Sequence, residues 1–206
     1  VQEVVSIGRL FTSGKYDLSR VIALTGSEVK NPRYYKTTGC TSIHNFVHEA
    51  VTDGYHRYIS GNVLTGTRIA PEGFIGFYDS QITVIPEGNH YEFLGWAMPG
   101  FNKYSVSRTF WSWLSPKREY IVDTNLHGGQ RAFILTGLYE KVFPMDIYPM
   151  QLLKAIMAED IDQMEKLGIY EIVEEDFALC EFIDPSKTEM QTLVRKGLDT
   201  MMREMS

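Results

Sequence analysis

Only two cysteines, Cys40 and Cys180, occur in the 206-residue chain. So low a content excludes a disulfide framework and suits a reducing compartment. It also leaves too few thiolates for an iron–sulfur cluster, which takes several cysteines, commonly at C-x2-C spacing. No apolar run approaches the roughly 18–20 residues needed to span a bilayer. Acidic residues outnumber basic ones, 26 to 20, and no basic block stands out. Nucleic acid is therefore not an expected partner. The opening "VQEVVSIGRL" lacks the basic start and apolar core of a signal peptide. Because it begins with Val1 rather than Met, the sequence is expected to be a fragment.

The familiar catalytic signatures are missing too. There is no G-x-S-x-G elbow, no G-x-G-x-x-G fingerprint and no GK[ST] phosphate loop. Gly128-Gly129 beside His127 completes none of these, and a turn between two strands accounts for it. His44 and His48 are four apart, a spacing that lets two rings reach one metal ion on a helix. Asn45 follows His44, so H-E-x-x-H is absent, and no third ligand is evident. A metal-dependent hydrolase built on this pair is a distant alternative to a half-exposed helix face.

What is present is ordinary globular composition, 44% hydrophobic and 22% charged. Residues 1–19 read as the tail of a missing upstream domain and a linker; "VVSIGRLF" suits a strand or a short helix, and "TSGKYDLS" is turn-rich. "RVIALTG" and "YYKTT" read as strands around the Asn31-Pro32 turn. Ile43, Phe46, Val47, Ala50 and Val51 then form a helical stripe, with Ser42 as N-cap and Gly54 as C-terminal cap. "RYISGNVLTG", "GFIGFYD", "QITVI" and "YEFLGW" read as further strands.

One helix over one sheet predicts an α+β unit of β-grasp type at 20–98. Residues 99–140 are an aromatic-rich connection in which "TFWSWLS" and "RAFILTG" read as extended. Residues 141–206 read as a helical domain. Met150, Leu153, Ile156 and Met157 mark one helix face, and Gly168 closes a following helix. Ser186 and Glu189 suggest a capping box for the last helix, whose stripe is Met190, Leu193, Val194, Leu198, Met201, Met202 and Met205.

Cys180 lies in "EEDFALCEFIDPSK", where Glu174, Glu175, Asp176 and Glu181 oppose a thiolate. A buried, inert thiol is the favoured reading, although pairing with Cys40 stays open. Trp96, Trp111 and Trp113, with Phe101, Tyr104 and Phe110, concentrate aromatic side chains in the middle third. Such residues line ligand grooves or anchor interfaces, and more often fill a core.

The motifs "SIGRLFTSG", "RVIALTGSEVKNPR", "RYISGNVLTG", "EFLGWAMPG", "SVSRTF", "YEKVFPMDIYPMQLLKAI" and "EEDFALCEFIDPSK", in this order, carry a family likeness over nearly the whole chain. The sequence resembles the C-terminal part of the A subunit of the Na⁺-translocating NADH:quinone reductase. The resemblance implies a soluble-ligand-binding β-grasp domain followed by a helical C-terminal region. It implies a peripheral subunit on the cytoplasmic side of the bacterial inner membrane, in a complex that oxidises NADH with quinone and exports Na⁺. The implied role is structural and quinone-proximal. Other, mainly membrane-embedded, subunits are the implied partners, and NADH, flavins, iron–sulfur centres and quinone belong to those subunits. In cluster-binding relatives of this family a helical region carries the cysteines, so "EEDFALCEFIDPSK" reads as a relic of a cluster loop.

No catalytic, cofactor-binding or metal-binding residue is expected in this chain. Gly61, Asn62 and Gly66 of "SGNVLTG", with Trp96, Trp111 and Trp113, form the expected ligand or partner surface. The alternative function is a β-grasp module that binds a small soluble or quinone-like ligand without catalysis.

Overall fold

The computed structural model describes residues 2–90, 92–133 and 137–205. Two compact units emerge. The first comprises residues 1–93 and 115–125, and the second comprises 94–114 and 126–206.

The first unit opens with helix α1 (Gln2–Ser13), none of whose residues is buried. Its Gln2 side chain exchanges hydrogen bonds with the backbone of Val21, and Glu3 pairs with Arg20. A five-stranded sheet follows, from β1 (Ser19–Thr25), β2 (Arg33–Thr38), β3 (His56–Ser60), β4 (Thr67–Ile69) and β5 (Gln81–Pro86). The spatial order is β2-β1-β5-β3-β4. β1 runs antiparallel to β2, pairing Val21 with Lys36, and parallel to β5, pairing Leu24 with Ile82. β3 is antiparallel to both β5 and β4.

The period-two pattern of β1 buries Ile22 and Leu24 and leaves Val21 exposed. In β5, Ile82, Thr83 and Val84 are all buried, as a strand flanked on both sides requires. Gly26 has φ of +117°, and a Cβ there would drive into the Val84 backbone, so only glycine leaves β1 at this point. The core is built from Ile22, Leu24, Val29, Ile43, Val47, Val51, Ile75, Ile82 and Val84.

The helix read from "SIHNFVHEAVTDG" is one turn, α2 (His44–Val47). The stripe is real, since Ile43, Val47 and Val51 are buried. Pairing with residues 28–30 ends the helix early: Lys30 N donates to Ala50 O, Thr52 N donates to Glu28 O, and Val51 bridges Val29. Ser42 precedes the N-cap position, which Ile43 occupies, and Gly54 lies well beyond the helix end. "RYISGNVLTG" leaves the sheet at Gly61, whose φ is +98°, and β4 returns after the turn. "GFIGFYD" contributes only an isolated bridge from Phe74 to Ser42, and the described part of "YEFLGW" is turn.

The second unit packs α3 (Pro149–Ala158), α4 (Ile161–Lys166), α5 (Ala178–Ile183) and α6 (Met190–Glu204). Pro149 sits at the start of α3, where its missing N–H costs nothing. Asp160 caps α4 by accepting from Gln163 N at 3.0 Å, and Gly168 follows that helix with φ of +86°. The core joins Met150, Leu153 and Ile156 to Phe177, Met190, Val194 and Met201.

The expected stripes are trimmed, because Met157, Met202 and Met205 are exposed. "TFWSWLS" is not extended; Trp111–Leu114 is a 3₁₀ turn. "RAFILTG" forms no strand over 131–133, and its Ile134–Thr136 part lies outside the described residues. Among the described residues, no helix is long and apolar enough to cross a membrane.

Candidate functional site

The expected surface residues fall in two places. Gly61, Asn62 and Gly66 belong to the first unit, whereas Trp96, Trp111 and Trp113 belong to the second.

The turn at 61–66 uses its own polar groups. Asn62 Oδ1 accepts from Leu64 N at 2.7 Å and Thr65 N at 2.9 Å, while Nδ2 donates to Thr65 Oγ1 at 2.8 Å. This is an Asx-type turn closed by Gly66 N donating to Asn62 O. Gly61 N donates to Gln81 O, and its carbonyl accepts from Thr83 Oγ1 at 2.7 Å. A Cβ on Gly66 would sit 2.6 Å from both Ile59 Cγ2 and Ser60 O. Beside the turn, Ser60 Oγ donates to Asp79 Oδ2 and accepts from Gly76 N. The glycines therefore permit close backbone packing, and the amides that a ligand would need are engaged internally. Asp79 completes this arrangement from a distance no local motif records.

The tryptophan segment has the opposite character. Trp111 N donates to Pro99 O at 2.9 Å, and the buried Ser112 hydroxyl donates to Lys103 O at 2.5 Å. Lys103 Nζ donates to Gly95 O and lies 5.6 Å from the Phe110 ring centre. These bonds tie residues 95–103 to 110–112 and turn polar groups inward. The rings face solvent: Trp96 is 77% exposed, Trp111 57% and Trp113 53%. Phe101 meets Trp111 edge-on at 5.8 Å. Core filling is thus the wrong reading of these three tryptophans. The signal available in sequence was the lack of any acidic residue from Leu94 to Leu114, beside six aromatic ones.

Cys180 is fully buried, and its thiol lies 3.8 Å from Tyr139 O. Burial pushes the thiol up to about 12, with the Glu140 carboxylate adding to the effect. Cys40 is exposed and lies in the first unit. Two cysteines so placed do not fit an iron–sulfur cluster. "EEDFALCEFIDPSK" is instead a structural turn. Asp184, buried, accepts from Tyr139 Oη at 2.6 Å, Ser186 N at 2.8 Å and Thr188 N at 2.7 Å. The anticipated capping box does not form, because Ser186 Oγ donates to Ala132 O and Glu189 makes no side-chain cap bond. Tyr139 and Asp184 were missed as partners, since 45 residues separate them.

His44 and His48 do come together, with ring centres 5.3 Å apart. They line an open cavity of about 460 Å³ with Lys30, Arg33, Tyr35 and Glu49. Among the described residues, no group of three or more His, Cys, Asp or Glu is placed to hold a metal ion. His127 lies exposed in its loop with φ of +45°.

The family profile described as "NQRA C-terminal domain" matches residues 21–70, the stretch from β1 through β4. A protein of Pasteurella multocida, named as the A subunit of Na(+)-translocating NADH-quinone reductase, is 45% identical over 204 residues, 98% of this chain and 46% of its own length. Nearly the whole chain is thus similar to part of the A subunit of this reductase. Its counterpart in Rhodopirellula baltica is 44% identical over 205 residues, 98% of this chain and 45% of the relative. That of Shewanella frigidimarina is 41% identical, again over 98% of the chain and 46% of the relative. The chain spans about half the length of these relatives.

Proposed function

We propose that this chain is the C-terminal part of the A subunit of a Na⁺-translocating NADH:quinone reductase and serves it as a structural, quinone-proximal piece. The observation that carries this reading is homology along 98% of the chain to proteins bearing that name. In it, residues 20–98 form a β-grasp domain and 141–206 a helical domain. The order β2-β1-β5-β3-β4, with the first and last strands parallel at the centre and a helical turn between the hairpins, supports the β-grasp assignment.

The assembly sits on the cytoplasmic side of the bacterial inner membrane, and NADH, flavin, iron–sulfur and quinone chemistry resides on its other subunits. This chain adds no redox centre of its own. Its outward-facing rings at Trp96, Trp111 and Trp113 belong to the side of the chain turned to the membrane.

A chimera tests the assignment. Replacing the matching half of the Pasteurella multocida protein with this chain should preserve assembly of the complex and its NADH:quinone reductase activity. A chimera that is expressed and folded, yet is absent from the purified complex, would overturn the reading.

The ligand-module alternative rests on the same exposed ring faces. A water-soluble quinone analogue titrated against tryptophan emission should then give saturable quenching.

A further inference from the structure

Residues Leu94–Leu114 invert the usual arrangement of a surface loop. Three of their hydrogen bonds tie the segment to itself, from Trp111 N to Pro99 O, from Ser112 Oγ to Lys103 O and from Lys103 Nζ to Gly95 O, while Ser105, Ser107 and Thr109 bond to one another at the surface. Their large apolar side chains run outward, with Trp96, Met98, Phe101, Trp111, Trp113 and Leu114 each more than half exposed. Burying such rings in water-free surroundings is worth about 1.5–3 kcal/mol apiece, so a protein that leaves a cluster of them exposed has a partner for it.

Charge identifies the partner. The chain carries a net charge of −6, yet this segment contains no Asp or Glu; of its two cations, Lys103 is bonded inward to Gly95 O and Arg108 is exposed. Tryptophan and tyrosine rings seat at the headgroup level of bilayers, where each ring buries its body and keeps a polar edge wet. Basic residues beside them are drawn to anionic headgroups, by roughly 1 kcal/mol each near the surface. A segment with three exposed tryptophans, an exposed Arg108 and no acid of its own, on an otherwise acidic chain, matches that environment on both counts.

We propose that residues 94–114 seat directly on an anionic lipid surface, so that the chain touches the bilayer itself as well as the protein subunits beside it. The proposal deepens the reading of the chain as a peripheral piece of a membrane complex and rests on it.

All three tryptophans of the chain lie in this segment, so tryptophan emission, excited selectively at the red edge where tyrosine does not absorb, reports on it alone. The full chain is mixed with vesicles of equal parts phosphatidylglycerol and phosphatidylcholine, and separately with pure phosphatidylcholine vesicles. The expected result is co-sedimentation and a blue shift with the anionic vesicles, suppressed by salt. Arg108→Asn should weaken partitioning about fivefold, the loss of one such charge, and Trp113→Ser should reduce both readouts, with circular dichroism confirming that each variant is folded.

Unchanged emission with anionic vesicles, or equal binding to both vesicle types, overturns the proposal. So does a blue shift seen only when the detergent-solubilised remainder of the complex is added, which identifies a protein partner and leaves the family assignment standing.

Discussion

Tyr139 Oη donates to Asp184 Oδ1 at 2.6 Å, deep in the helical unit, and the same carboxylate accepts the amides of Ser186 and Thr188. One buried acid thereby fixes the turn "DPSK" ahead of α6 and ties it to the 3₁₀ turn at Tyr139–Lys141. Asp184→Ala removes the acceptor of two buried donors and one half-buried one and should cost about 3 kcal/mol or more. Tyr139→Phe removes one donor and leaves the other two served, so about 1–2 kcal/mol is expected. Urea unfolding followed by circular dichroism gives both values. Equal losses for the two variants would show that the amide contacts contribute little.

The Cys180 thiol offers a pH test. Burial raises it from the ordinary value of 9.0 to about 12, so the folded chain holds its proton more tightly than the unfolded one does. The stability this contributes is complete below pH 9 and is lost as pH climbs toward 12. Cys180→Ala should therefore flatten the alkaline limb of urea midpoints relative to the parent. A thiol reagent at neutral pH should modify the exposed Cys40 and spare Cys180 until the chain unfolds.

At the acidic end the group to watch is Glu87. The Arg57 guanidinium, hydrogen-bonded to it at 2.5 and 3.1 Å, holds its carboxyl below the usual range against the opposing effect of burial. The Thr124 hydroxyl and the charges of Arg57 and Arg68 add to the effect. A depressed carboxyl contributes stability above its unfolded value and loses it as pH falls through the folded one. Glu87→Gln should be less stable than the parent at neutral pH and converge with it in acid. Parallel profiles would remove Glu87 from the account.

Gly66 tests the packed turn. Its missing Cβ makes room for Ile59 and the Ser60 carbonyl, so Gly66→Ala should destabilise the sheet unit by about 2 kcal/mol. Gly129→Ala, where nothing lies within 4 Å, should stay within about 0.5 kcal/mol of the parent. Thermal unfolding of the two variants side by side separates a packing role from a general intolerance of change.

Much of the architecture could be read from local pattern. The alternation in "RVIALT" marked β1, "QITVI" marked β5, and the three-to-four spacing of Met190, Val194 and Met201 marked α6. The candidate surface was legible only in part. The sequence pointed to the tryptophans without saying which way they face, and it pointed to "SGNVLTG" without showing that its amides are engaged. Side-chain direction in an irregular segment follows from its tertiary hydrogen bonds, here Trp111 to Pro99 and Ser112 to Lys103.

By itself, then, the sequence determined β1, β5, α6, the family likeness and the shortage of thiols, because each is a matter of residue type and near-neighbour spacing. Tertiary structure alone decided the early end of α2, where residues 28–30 take up backbone groups at Ala50 and Thr52. It alone made Asp184, rather than the Ser186–Glu189 pair, the organiser of the last helix. These outcomes are competitions for backbone hydrogen bonds between residues distant in sequence, and local preference loses such a competition when the distant partner also buries its surroundings.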